Sequence, residues 1–97
     1  MLGEGTDFEW DAEKDATNIA KHGVSFVEAA RAFADPARLI SRNVKHSVLE
    51  VRYFCIGNTG RGICTVRFTM RGDKVRIIGA GFWREGKSLY EKRASRL

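Results

Sequence analysis

The sequence predicts an α+β domain: two N-terminal helices packed on a small antiparallel β-sheet, with a short C-terminal helix. Three observations lead there. Up to Asp35-Pro36, apolar residues recur at helical spacing. Beyond that proline the period shortens to two, in runs rich in β-branched and aromatic residues separated by the turn-like stretches GNTGRG and RGDK. The length of 97 residues, 43% of them hydrophobic, suits one domain over residues 1–97 with a modest core.

Helix one follows Asp11, with Ala12, Ala16, Ile19 and Ala20 on one side, and stops at Lys21-His22-Gly23, where the glycine suits a left-handed C-terminal position. Ser25 then precedes Glu28 by three residues, the spacing of a capping box, and Phe26, Ala29, Ala30 and Phe33 give helix two an apolar stripe. Asp35-Pro36 ends it. A first strand is expected over Arg38 to Ser41, then a polar connection, then strands over Val48 to Ile56, Ile63 to Met70 and Val75 to Ala80. Ser88 and Glu91 repeat the capping-box spacing and predict the last helix from Ser88.

The strands carry an unusual pattern, because Arg67, Arg71 and Arg76 alternate with core material. With Gly72-Asp73 as a two-residue turn, Met70 pairs with Val75, Thr69 with Arg76, Phe68 with Ile77 and Arg67 with Ile78. One face then carries Cys64, Val66, Phe68, Met70, Val75 and Ile77, and the other Thr65, Arg67, Thr69, Arg71 and Arg76. Pairing Ile56 with Ile63 adds Leu49, Val51, Tyr53 and Cys55 to the apolar side and Glu50, Arg52 and Phe54 to the other, and sets Arg52 opposite Arg67. The two helices are expected to cover the apolar face, leaving a basic platform. Like charges opposed across strands are unfavourable, which points to an anionic occupant. Glu50, an N-terminal carboxylate or water is the competing way to satisfy these arginines.

The charge distribution agrees. Residues 1–15 hold six carboxylates against Lys14, while the remaining chain has sixteen basic and six acidic residues, a surplus of ten. Such a field favours phosphate-bearing or acidic partners. Arginine suits phosphate through its bidentate planar fork, and Phe54 and Trp83 are candidates to stack bases. No stretch is apolar enough to span a bilayer and no signal peptide is visible, so a cytoplasmic protein with no membrane partner is expected. Cys55 and Cys64 read as reduced core thiols; without Cys-x-x-Cys spacing, a zinc site with His22 and His46 is disfavoured, and no metal or cofactor is expected.

Read together, FEWDAEKDATNIAKHGVSFVEAARAFADP, RYFCIG, FTMRGDKVRIIGA and the late YE resemble the BrnT-type toxins of bacterial type II toxin–antitoxin systems, from Phe8 to about Glu91. The resemblance implies a RelE-like ribonuclease fold, metal-independent RNA cleavage, growth inhibition and neutralisation by a cognate DNA-binding antitoxin, with operator DNA reached only through that antitoxin. The matched positions are His22, Arg52, Arg71, Arg76 and Tyr90. Where such chains are expected to carry Ser-Ala-Arg after the last strand, this one has Gly79-Ala80-Gly81, so the role of that arginine does not transfer. Arg84 and Lys87 are candidates to supply charge nearby.

For attack of a ribose 2′-hydroxyl on the adjacent phosphorus, these residues divide into roles. Arg71 and Arg76 would stabilise phosphoryl charge, Arg52 and Arg67 would position the backbone with Trp83, Arg84 and Lys87, and His22 or Tyr90 would move protons. His22 is a candidate general acid or base, but it equally suits a cation at the carbonyl end of helix one. His46 reads as a solvated loop residue. The rival function is a non-catalytic basic module that binds RNA or an acidic antitoxin-like protein; the chain shows no helix-turn-helix of its own.

Overall fold

The computed structural model describes residues 5–44 and 49–95; His46 and Val48 lie outside them. The elements run β1 (Asp7–Glu9), α1 (Ala12–His22), α2 (Phe26–Ala30), a 3-10 helix (Arg31–Ala34), β2 (Leu39–Arg42), β3 (Arg52–Asn58), β4 (Ile63–Arg71), β5 (Lys74–Gly81) and α3 (Arg84–Ala94). The five strands form one sheet in the order β1-β5-β4-β3-β2, antiparallel except where β1 lies parallel to β5. The expected antiparallel sheet is therefore mixed and one strand larger. Three residues among carboxylates give little periodic signal, yet Phe8 enters the core and packs edge-on to Phe33 at 5.2 Å, while Glu9 pairs with Arg76.

The local signals around the helices hold. Asp11 Oδ1 accepts from the backbone N–H of Glu13 and Lys14 at 2.8 and 3.1 Å. Gly23 closes α1 at φ 69°, donating to the Ile19 carbonyl. Ser25 caps α2 by accepting from the Glu28 N–H at 3.1 Å. Only half of the capping box forms, because the Glu28 carboxylate binds Arg61 at 2.7 Å instead. Helix two tightens into the 3-10 turn before ending at Asp35. The Asp35 carboxylate accepts from the N–H groups of Ala37 and Asn58 and from the Tyr90 hydroxyl, at 2.7 to 2.8 Å.

The core lies between α2 with its 3-10 extension and the apolar sheet face. Phe26, Ala29 and Phe33 meet Cys55, Cys64, Val66, Phe68, Val75 and Ile77, all buried. Phe33 meets Phe68 edge-on at 5.0 Å, and Tyr53 stacks on Phe68 at 5.3 Å. At Gly57 a Cβ would stand 2.3 Å from the Ala32 carbonyl oxygen, so glycine lets the 3-10 helix lie directly on β3. Burial pushes the Cys55 and Cys64 thiols up to about 12 and about 11, which keeps them protonated. Leu49, expected in this face, is fully exposed, since β3 begins only at Arg52.

The second cover is also only partly as expected. Rather than sharing the apolar face equally with α2, α1 docks at the edge of β5. There the buried Asn18 amide accepts from the Ala80 N–H at 3.1 Å and donates to the Ala80 and Val24 carbonyls at 2.9 Å. One side chain thus takes the place of a neighbouring strand where β1 has stopped.

Between β4 and β5 the predicted register holds from Arg71–Lys74 to Phe68–Ile77, then a bulge brings Gly79, not Ile78, opposite Arg67. Between β3 and β4 the pairing slides by two residues: Asn58 meets Ile63, Cys55 meets Val66, Phe54 meets Arg67 and Arg52 meets Thr69. The strands run further into GNTGRG than expected, and the Thr59 N–H closes the shorter loop on the Gly62 carbonyl at 3.0 Å. A two-residue slide leaves every side chain on its face but replaces its partners. Arg52 and Arg67 are therefore not opposed.

α3 begins four residues before the predicted Ser88, with Trp83 at its N-cap and no side-chain cap bond. Gly86 hid that first turn, being a poor helix former. It is required by packing: a Cβ there would collide with Thr65 Oγ1, so α3 sits against the sheet at its closest point.

Candidate functional site

Opposite the core, the sheet presents its arginines. Register aligns Glu9, Arg76, Thr69 and Arg52 in one row across β1, β5, β4 and β3. The carboxylates in and beside this face are used. Arg76 bonds Glu9 at 2.8 Å, and Glu50 lies 3.5 Å from Arg71 and 3.9 Å from Arg52. Thr69 donates its hydroxyl to the Val51 carbonyl at 2.6 Å. The alternative in which Glu50 and an N-terminal carboxylate satisfy the platform is thus realised at three of its four arginines.

Arg67 differs. Among the described residues it has no carboxylate in ion-pair range; its guanidinium lies over the Trp83 ring, 5.8 Å from the centroid. Trp83 in turn meets His22 edge to face at 5.2 Å. Two glycines make this possible. A Cβ on Gly79 would stand 2.3 Å from an Arg67 guanidinium nitrogen, and one on Gly81 would stand 2.6 Å from the Trp83 indole. The Gly-Ala-Gly departure therefore has a steric meaning: the bare backbone of β5 is where Arg67 and Trp83 lie.

His22 and Arg67 also line an open cleft of about 410 Å³ between α1 and the sheet, floored by Ile78 and shared with Lys14, Thr17 and Lys21. Asp11 and Glu13 stand at its other end. Lys14 and Lys21 are residues that sequence reading passed over. Seven positions apart, they share a helix face, a spacing that would have found them.

The structure does not gather every predicted site residue. Arg71 and Arg76 share the arginine face but belong to its ion-paired end. Tyr90 sits by Asp35 and Asn58, at the Asn58–Ile63 end of the sheet. Arg71 is eight residues along β4 from Ile63, about 26 Å at the usual strand rise. The Tyr90 hydroxyl donates to Asp35 at 2.7 Å, and this bond holds the Tyr90 pKa above its ordinary value. Lys87 lines a separate hollow with Arg61 and Phe82, and Arg84 opens α3, exposed. Among the described residues no three His, Cys, Asp or Glu side chains form a set able to hold a metal ion. No helix among them is long and apolar enough to cross a membrane.

A basic sheet face running into a cation-lined cleft with an indole at its edge defines a small α+β domain suited to a phosphate-bearing polymer. The chain belongs to the family described as ribonuclease toxin, BrnT, of type II toxin-antitoxin system, which it matches over residues 10–86. That span includes both helices of the N-terminal half, the whole sheet except β1, and the start of α3. Membership brings an RNA target and an antitoxin partner. No curated protein matches the chain.

Proposed function

We propose that the chain is a metal-independent endoribonuclease whose reaction centre is the cleft lined by His22 and Arg67, beside Trp83. The single observation that carries this reading is that Arg67 has no carboxylate partner among the described residues and is held by Trp83 at the mouth of a cleft that also contains His22. A guanidinium fixed over an indole is available to a phosphate without first breaking an ion pair. In this reading Arg67 binds the phosphoryl oxygens and stabilises the charge that builds as the 2′-hydroxyl attacks phosphorus. His22 exchanges the proton of the attacking or leaving oxygen, and Lys14 and Lys21 add positive potential. Arg52, Arg71 and Arg76 form a track for flanking phosphates, which would displace Glu9 and Glu50. A RelE-like ancestry, a cytoplasmic site of action, and neutralisation by a cognate DNA-binding antitoxin that alone contacts the operator belong to the same proposal.

The test is incubation of partner-free protein with total RNA in EDTA, beside His22→Gln. Cleavage by the parent chain, reduced on the order of 100-fold in the variant, is the expected result. Cleavage that needs added divalent cation, or that the variant retains, would sink this assignment.

A second reading has its own observation: Glu9 and Glu50 show that carboxylates satisfy the arginine track well. A non-catalytic module that docks an acidic antitoxin segment there would bind RNA in a salt-sensitive way without cutting it.

A further inference from the structure

Trp83 has a second side. Outside the cleft it lines, with Phe54, an apolar slot of about 180 Å³ between α3 and the sheet. Buried Ile56, Thr65 and Gly86 form the floor, and exposed Glu85 stands at the mouth. The volume is below the roughly 300–1,000 Å³ of pockets for drug-sized ligands, so the slot suits one ring system. Thr65 Oγ1 is buried there, and it has no hydrogen-bond partner among the described residues. Buried hydroxyls are rarely left so.

Deepening the ribonuclease reading, on which it rests, we infer that this slot takes the base of a nucleotide flanking the cut phosphate, and that Glu85 makes it prefer guanine. Two aromatic side chains in one lining, Phe54 and Trp83, suit a flat base, which stacking holds with little sequence preference. Glu85 supplies the preference. Guanine offers N1–H and N2–H side by side, matching the two oxygens of a carboxylate. Adenine and cytosine set one donor beside a ring-nitrogen acceptor, and uracil flanks its single N–H with two carbonyls that a carboxylate repels. The Thr65 hydroxyl rotates to donate to an acceptor on the inserted base or to accept from a donor. Because the indole that lines the slot also has the Arg67 guanidinium over its ring, a base in the slot leaves its own phosphate within reach of Arg67, and the slot sets which phosphate is presented. Gly86 keeps the floor open.

The experiment titrates the full chain with guanosine, adenosine and uridine 3′-monophosphates and with ribose 5-phosphate, following the Trp83 indole N–H by NMR with Trp10 as internal reference. Cut ends of an RNA digest are sequenced in parallel. The guanosine nucleotide is expected to bind best and to shift Trp83 alone. Glu85→Gln, an exposed change, should reduce its advantage over adenosine about tenfold, and Thr65→Val should weaken all bases a fewfold. Guanine should be enriched at one position beside the cut. Equal binding of all three nucleotides, binding of ribose 5-phosphate as tight as theirs, or an unchanged preference in Glu85→Gln would overturn the inference, even if RNA is cut at His22 and Arg67. Guanine-selective binding by a chain that cuts nothing would uphold the slot and remove the ribonuclease reading.

Discussion

Arg76 and Arg67 stand on the same face of adjacent strands, yet they have opposite surroundings. Arg76 is half-buried against Glu9, 2.8 Å away, and ties β1 to the sheet. Arg67 lies over an indole beside a histidine, with no carboxylate in reach among the described residues. The difference comes from neighbours, not from residue type. β1 brings its carboxylate to one end of β5, whereas Gly79 and Gly81 clear the other end for Arg67 and Trp83. An arginine marks a site only when nothing in the fold has already claimed it.

The sharpest way to break this comparison is to truncate both. Arg67→Ala should lower cleavage on the order of 100-fold or more with little change in melting temperature, as expected for loss of a donor to developing charge. Arg76→Ala should lower it less than tenfold. Equal losses in a single-turnover assay would mean that the whole arginine face, not the cleft, is the reaction centre.

Next in size is the clamp that holds α1, and with it His22, against β5. Asn18→Ala would leave the Ala80 N–H and two carbonyls without their partner, at about 1–3 kcal/mol for such groups. Urea denaturation should show a loss near the upper end of that range, and a loss below about 0.5 kcal/mol would mean that solvent replaces the amide freely.

Gly79→Ala probes the same contrast from the backbone. The added methyl meets the flexible end of Arg67, so the guanidinium should move and the fold should survive. Cleavage is expected to fall about tenfold with an unshifted denaturation midpoint, the behaviour of misplaced rather than missing charge.

Tyr90 provides a control outside the cleft, bonded to Asp35. Its hydrogen bond to Asp35 raises its pKa, so the stability it adds is present below the unfolded tyrosine value near 10 and is lost as pH rises through the higher folded value. Burial raises the Asp35 pKa, but the Asn58 N–H and the Tyr90 hydroxyl outweigh it and leave that pKa lowered. Its contribution is therefore present at neutral pH and is lost on acidification through the folded carboxylate value. Tyr90→Phe should cost about 1 kcal/mol at pH 7, flatten the alkaline arm of the stability profile and leave the cleavage rate unchanged. A rate loss without a stability loss would return Tyr90 to the chemistry.

The smallest effect concerns the pair itself. Glu9→Gln should change stability by no more than about 1 kcal/mol, as for partly exposed ion pairs, while freeing Arg76 and tightening RNA binding a fewfold in low salt. Unchanged binding would show that Arg76 lies off the RNA path.

What could be read from the chain alone was whatever short-range chemistry decides. Asp11, Gly23 and Ser25 fix helix ends through bonds to residues two to four positions away, Gly72 adopts φ 61° in its hairpin turn, and alternation sorts arginines from core residues on β4 and β5. Those signals placed α1, α2 and the last hairpin. They could not place β1, because three residues become a strand only when β5 supplies the partner. Nor could they give the start of α3, since the reason for Gly86 is Thr65, distant in sequence.

The site divides along the same line. Composition and alternation determined that a basic face exists, and the family motifs made His22 a candidate for the proposed site. Which arginine remains available was decided by the two-residue slide of β3 on β4, the bulge between Arg67 and Phe68 and the parallel docking of Glu9. Side-chain alternation survives such a slide, so sequence alone gives the face. Partners do not survive it, so only the folded chain could separate Arg67 from Arg76 and bring His22, at the end of a helix, against Trp83 beyond the last strand.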